Sequence, residues 1–142
     1  MQMHADRVIK RPAEEVAEFF FDASNNPRWQ SGMTRCEWET PPPITVGSTY
    51  LQEAKFMGRT IRSRFEVTEY TPDRSIAIET IESTFPIQVT RTVAPIDDSS
   101  CRVHARISGG PGGLLKLIGP LTNKLAQRSV DRDYDRLVEL LG

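Results

Sequence analysis

The 142-residue sequence predicts an α+β domain: a curved antiparallel sheet of about six or seven strands wrapped around one long C-terminal α-helix. Three observations carry that prediction. Between residues 48 and 108, five segments of alternating polarity follow one another at short intervals, the pattern of an antiparallel meander with one wet face. Helical periodicity is confined to a short stretch after the first strand and to residues 113–141. A sheet must cover its apolar face, and the C-terminal segment is the one long amphipathic element that can do so. The length fits a single domain, residues 1–142, with a real core.

Taken in order, residues 3–9 (MHADRVI) read as a short strand. RPAEEVAEFFFDA, residues 11–23, then reads as a helix. Pro12 suits its first turn, Glu14 and Glu15 complement its N-terminal dipole, and Val16, Phe19 and Phe20 share one face. SNNPRWQSG is a loop or a short second helix capped by Ser24 or Asn25, and residues 33–39 alternate weakly, as a strand. TPPPITVG, residues 40–47, is a stiff connector. Strands follow at 48–56, 59–70, 75–83, 87–95 and 101–108, with turns at Met57–Gly58, TPDR and IDDSS.

The closing helix carries two apolar stripes on nearly opposite sides. Leu114, Leu117, Leu121 and Leu125 form the first; Val130, Tyr134, Leu137 and Leu141 form the second. Gly119–Pro120 lies early in this segment, where a proline breaks or kinks an interior helix. The two portions are therefore expected to face different surroundings, unless the helix is buried on two sides.

Composition excludes several function classes. A formal net charge of −1, with both signs mixed along the chain, offers no electrostatic case for nucleic acid or an anionic membrane surface. No run approaches the roughly 20 apolar residues of a membrane span. The polar N-terminus does not resemble a secretory signal, and the two cysteines, Cys36 and Cys101, are not spaced as a metal pair. Free thiols in the cytoplasm are the plain reading. The glycine-rich ISGGPGGLLK lacks the lysine–serine/threonine ending of a phosphate-binding loop and follows an antiparallel strand. Gly109–Gly113 is thus expected to be a hinge into the long helix, and no cofactor or metal is expected.

VIKRPAEEVAEFFFDASNNPRWQSGM resembles the opening of the polyketide cyclase/dehydrase-like proteins of the START-like (SRPBCC, helix-grip) superfamily. The likeness continues through TVGSTYLQEAKFMGRTIRSRFEVTEYTPDRSIAIE and the closing GPLTNKL…LVELLG; Ser100–Cys101 stands where a Gly–Thr pair is usual. The resemblance implies a sheet gripping the C-terminal helix around an apolar cavity. It does not imply a shared catalytic set, because members share the cavity better than they share reactive residues.

Candidate site residues come from polar groups on apolar strand faces. Arg91 lies on one face with Ile87, Val89 and Val93; it must snorkel to solvent, pair with an acid, or meet a ligand's carboxylate or enolate. Tyr50 and Gln52 are candidate neutral donors for a mostly apolar pocket, with Phe56 and Phe65 as walls. Leu117 and Leu121, with Leu125, would line it from the helix, and Trp29, in a polar loop, is placed near its mouth or as a plug between helix and sheet. His4 and His104 fall at solvent, and DRDYDR, residues 131–136, reads as a solvated helix face. With no acid–base pair evident, catalysis is left undecided. The first reading is a cytoplasmic carrier or sensor that binds a small hydrophobic or aromatic molecule. A cyclase or dehydratase using the same cavity, and a regulatory protein-interaction domain, are the alternatives. Monomer and homodimer both stay open.

Overall fold

The computed structural model describes residues 2–56, 58–83, 86–109 and 119–142, with the side chains of Phe56 and residues 119–122 outside the described set. The order is β1 (Gln2–Ile9), α1 (Ala13–Phe20), a short 3-10 helix (Ala23–Arg28), β2 (Met33–Trp38), β3 (Thr49–Phe56), β4 (Arg59–Thr71), β5 (Ser75–Glu82), β6 (Ile87–Asp97), β7 (Ser100–Gly109) and α2 (Gly119–Leu141). Among the described residues seven strands form one sheet in the order β1-β7-β6-β5-β4-β3-β2, antiparallel throughout. Strands β2 to β7 form a meander, and β1 completes it by pairing with β7. This is the expected helix-grip architecture.

The alternation read from the sequence sets the faces. Ser63, Phe65 and Val67 of β4, Val89, Arg91 and Val93 of β6, and Cys101, Val103 and Ala105 of β7 are all buried on the side that faces the helices. Register shifts at Arg64/Phe65 and Val67/Glu69 in β4, and at Pro95/Asp97 in β6, mark bulges, which add twist and bend a sheet.

Helix α1 starts two residues later than expected and ends at Phe20 rather than Ala23. Pro12 stands before it, and its carbonyl accepts from the amides of Glu15 (3.1 Å) and Val16 (3.2 Å). The cap of the 3-10 helix is Asp22 rather than Ser24 or Asn25. Its carboxylate accepts from the Ser24 amide at 3.0 Å, and aspartate caps as well as either of them.

Helix α2 lies across the sheet with its second stripe inward: Tyr134 is 3% exposed and Leu137 0%, while Val130, Val138 and Leu141 pack against the core. At 100° per residue, Leu125 lies half a turn from Tyr134, and it is 55% exposed. The expectation that Leu125 lines a cavity is therefore overturned. The expectations for Gly110–Gly113, Leu114 and Leu117, and for the Leu121 and Phe56 side chains, lie outside the described residues. Polar contacts dock α2 on β1: Arg7 Nε donates to Asp135 at 2.9 Å, and Gln127 Nε2 donates to the His4 carbonyl at 2.7 Å.

Candidate functional site

Between the sheet and α2 lies a cavity of about 100 Å³. Trp29, Tyr50, Phe65, Ile78, Ile87, Val89, Ile107, Val130 and Tyr134 supply its apolar lining, and Asn26, Gln30, Gln52, Arg91 and Asp133 its polar groups. The structure thus brings Trp29, Tyr50, Gln52, Phe65 and Arg91 together on one cavity. The strand periodicity explains how: Tyr50 pairs with Phe65 and Gln52 with Ser63 in the β3–β4 register, so alternate residues of neighbouring strands share a face. Tyr50 stacks on Phe65 at a centroid distance of 5.1 Å and is 1% exposed.

Arg91 is the least ordinary group in this cavity. It does not snorkel: it is 6% exposed. Nor does it find an acid, since no ion pair among the described residues includes it. Its Nη1 donates to the Phe20 carbonyl at 2.8 Å and to Asn26 Oδ1 at 3.2 Å. Its guanidinium carbon lies 5.0 Å from the Phe20 ring centroid and 5.2 Å from that of Trp29. Phe20 is the last residue of α1, so its carbonyl belongs to the negative end of a short helix dipole. Partial charges and π-faces therefore surround the cation, but no full counter-charge. Cation–π contacts contribute roughly 2 kcal/mol or more each when desolvated, and with the two hydrogen bonds they offset the several kcal/mol it costs to bury an ion without supplying a counter-charge. Arg91 Nε and Trp29 Nε1 are both buried without a hydrogen-bond partner among the described residues. Two orphaned donors on one cavity suit an incoming acceptor oxygen.

Trp29 is 1% exposed, so it stands in the cavity wall and not at a solvent-facing mouth. It meets Tyr134 edge-to-face at 5.0 Å, wedged between the 3-10 helix and α2. Gln52 is half-buried and also borders an outer groove, where Glu53, Arg62, Arg64 and Glu82 are taken up in mutual ion pairs.

Burial raises the ionisable neighbours of Arg91. The Tyr134 hydroxyl is pushed up to about 12 by desolvation, with Arg91 opposing the shift. The Cys36 thiol is also pushed up to about 12, chiefly by burial, which leaves it a poor nucleophile near neutral pH. The Tyr50 hydroxyl is raised further by complete burial. All three are neutral at neutral pH, and Cys36 Sγ accepts from Asn26 Nδ2 at 3.8 Å.

Asn26 and Asp133 were not legible as site residues. Asp133 lies in the tract read as a solvated helix face, yet it lines the cavity. Its Oδ1 accepts from the Ser31 amide at 3.0 Å and the Ser31 hydroxyl at 2.9 Å, which ties α2 to the loop before β2. Desolvation nevertheless holds its carboxyl above the usual aspartate value. One signal was available: Asp133 precedes Tyr134 of the buried stripe, which puts it 100° from that stripe, at its flank. Its neighbours Asp131 and Asp135 behave as expected and pair with Arg7. His4 and His104 sit at the outer face with ring centroids 6.3 Å apart. Among the described residues, no group of three or more His, Cys, Asp or Glu is placed to hold a metal ion.

The sequence profile of a family described as polyketide cyclase / dehydrase and lipid transport matches residues 1–142. No curated protein sequence matches the chain. Among solved structures, a protein from Thermus thermophilus is similar with a TM-score of 0.77 at 22% identity, covering 98% of this chain and 95% of its own. A START superfamily protein from Mycobacterium smegmatis gives 0.80 at 13%, covering 99% and 96%. The Zhui aromatase/cyclase from a Streptomyces species gives 0.74 at 11%, covering 99% and 93%. At these identities the likeness establishes the fold.

Proposed function

Because the chain belongs to the polyketide cyclase / dehydrase and lipid transport family, we propose that it is a carrier or sensor that binds a small hydrophobic or aromatic molecule in the cavity between the sheet and α2. The observation that carries this reading is Arg91: a buried guanidinium with no ion-pair partner and its Nε unpaired among the described residues, on a mostly apolar cavity. A ligand with one acidic or carbonyl oxygen would satisfy Arg91 and Trp29 while its hydrocarbon portion meets Phe65, Ile78 and Val89. The volume of about 100 Å³ bounds the size of the part held there. It is smaller than typical ligand pockets of roughly 300–1,000 Å³ and about two-thirds of the roughly 150 Å³ that admits benzene, so one ring is the most it takes without the walls giving way. A single ring is the natural occupant.

The same reading has the protein act in the cytoplasm, where the buried cysteines Cys36 and Cys101 stay as thiols, and without nucleic acid, given its formal net charge of −1. Among the described residues no helix is long and apolar enough to cross a membrane. The cavity is lined from within one chain, so the reading does not require a homodimer.

A cyclase or dehydratase activity is the second reading, and Asp133 favours it. A carboxylate of raised pKa on the cavity that holds Arg91 could take a proton beside a substrate carbonyl while the guanidinium stabilises the enolate oxygen. Native mass spectrometry of the purified chain, followed by calorimetric titration with benzoate, tests the primary reading. A co-purified small molecule, or saturable benzoate uptake that perturbs Trp29, is expected. A chain that takes up neither benzoate nor toluene overturns it. Turnover of a β-ketoacyl aromatic substrate, lost in Asp133→Asn while benzoate still binds, would replace the carrier by the enzyme.

A further inference from the structure

A second concavity lies outside the core, between α1 and the proline connector. It measures about 650 Å³, within the size range of small-molecule sites. Its lining includes Phe21, Trp38, Tyr70 and the run Pro41–Pro42–Pro43. Around these stand the carboxylates of Glu14, Glu18, Asp22 and Asp73, and no lysine, arginine or histidine is among the lining residues. None of the four takes part in an ion pair among the described residues. The charged networks on the outer face of the sheet look different: there Arg35, Arg62 and Arg64 pair with Glu37, Glu53, Glu39 and Glu82. The groove's lining carries four carboxylates and no cationic side chain, so its local charge is negative.

Trp38 and Tyr70 are half-buried and turn part of their surface to the groove. Trp38 is fixed by its Nε1–H, which donates to Asp22 Oδ1 at 2.8 Å. Proline rings fix φ, so the connector wall loses little freedom when a ligand arrives. Aromatic faces attract cations through their quadrupole, and surrounding carboxylates add Coulombic attraction. A cation that must meet carbon walls as well as acids is best served by an alkylated nitrogen.

We infer that this groove is a second binding site, independent of the cavity that holds Arg91, and that its occupant is a small alkylated ammonium ion. The connector and the β4–β5 turn form it together. Asp73, in that turn, takes φ 63°, a left-handed conformation that aspartate tolerates better than most residues.

The test uses the full chain with choline and its neutral isostere 3,3-dimethylbutan-1-ol, read by the indole N–H resonances of Trp38 and Trp29. Choline is expected to shift the Trp38 signal saturably and leave Trp29 unmoved, with the neutral alcohol at least tenfold weaker. Asp73→Asn and Glu18→Gln, both at exposed positions, should each weaken choline several-fold without changing benzoate uptake by the inner cavity. Equal binding of the alcohol, no saturable shift at Trp38, or indifference to both substitutions overturns the assignment. Self-association that Asp73→Asn abolishes and choline does not disturb would give the groove to a second copy of the chain, and overturn it too.

Discussion

Along the β6–β7 ladder the interior changes character within three facing pairs. Val93 opposite Val103 is sealed, at 2% and 0% exposure, and is joined in the core by Ile9, Cys101 and Leu137. Val89 opposite Ile107 lines the cavity instead. Arg91, opposite Ala105, stands at the boundary between the two. One end is closed by aliphatic side chains. The other keeps open space, two unpaired donors and an uncompensated cation. Close packing stabilises; unsatisfied polar groups beside open space cost stability and are retained where they serve binding.

That contrast can be broken by substitution. Leu137→Ala, in the sealed end, should cost roughly 2–5 kcal/mol, the range for a buried leucine whose surroundings cannot collapse. Ile107→Ala, beside existing space, should cost about 2 kcal/mol, at the low end of that range. Urea denaturation of both variants measures the difference, and equal costs would remove the distinction between the two ends.

Arg91→Met should move stability by about 1.5 kcal/mol or less in either direction. Removing the cation relieves its desolvation, while the Phe20 carbonyl and Asn26 Oδ1 lose their donor, and these effects oppose each other. A loss as large as that of Leu137→Ala would make Arg91 a structural keystone.

The smallest expected effect concerns Asp133. Its carboxyl is raised in the folded chain, so its ionisation disfavours folding at neutral pH. That cost disappears as pH falls through the raised folded value to the ordinary aspartate value. Asp133→Asn keeps an oxygen to accept from Ser31 and removes the charge. Its advantage over the parent should be greatest near neutral pH and vanish in acid, as read by thermal melts across a pH series. A pH-independent difference would contradict the assigned cause.

Much of this was legible in the sequence. The strand faces could be read because alternation has a fixed period, and the inward stripe of α2 because Val130, Tyr134, Leu137 and Leu141 share a face. Arg91 stood out as a cation among aliphatics. What it touches could not be read: the Phe20 carbonyl is a backbone atom 71 residues away, and Asn26 lies 65 residues away in a turn with no pattern of its own. Snorkelling was a reasonable alternative that failed because α1 and the 3-10 helix cover this part of the sheet. Asp133 was hidden by its company, since Asp131, Arg132, Asp135 and Arg136 make the tract look like a charged face despite the buried Tyr134 within it. Trp29 sat in a polar stretch that left a mouth position and a plug between helix and sheet both open, and its 1% exposure rules out the solvent-facing mouth.

Calorimetric titration of the parent chain and Arg91→Met with benzoate and with toluene tests the central claim most directly. Loss of a hydrogen bond to a charged group is worth roughly 1.5–3 kcal/mol, so benzoate should weaken by about that amount in the variant while toluene binds as before. Unchanged affinity for both ligands would contradict the claim and leave Arg91 a buried cation held by the chain alone.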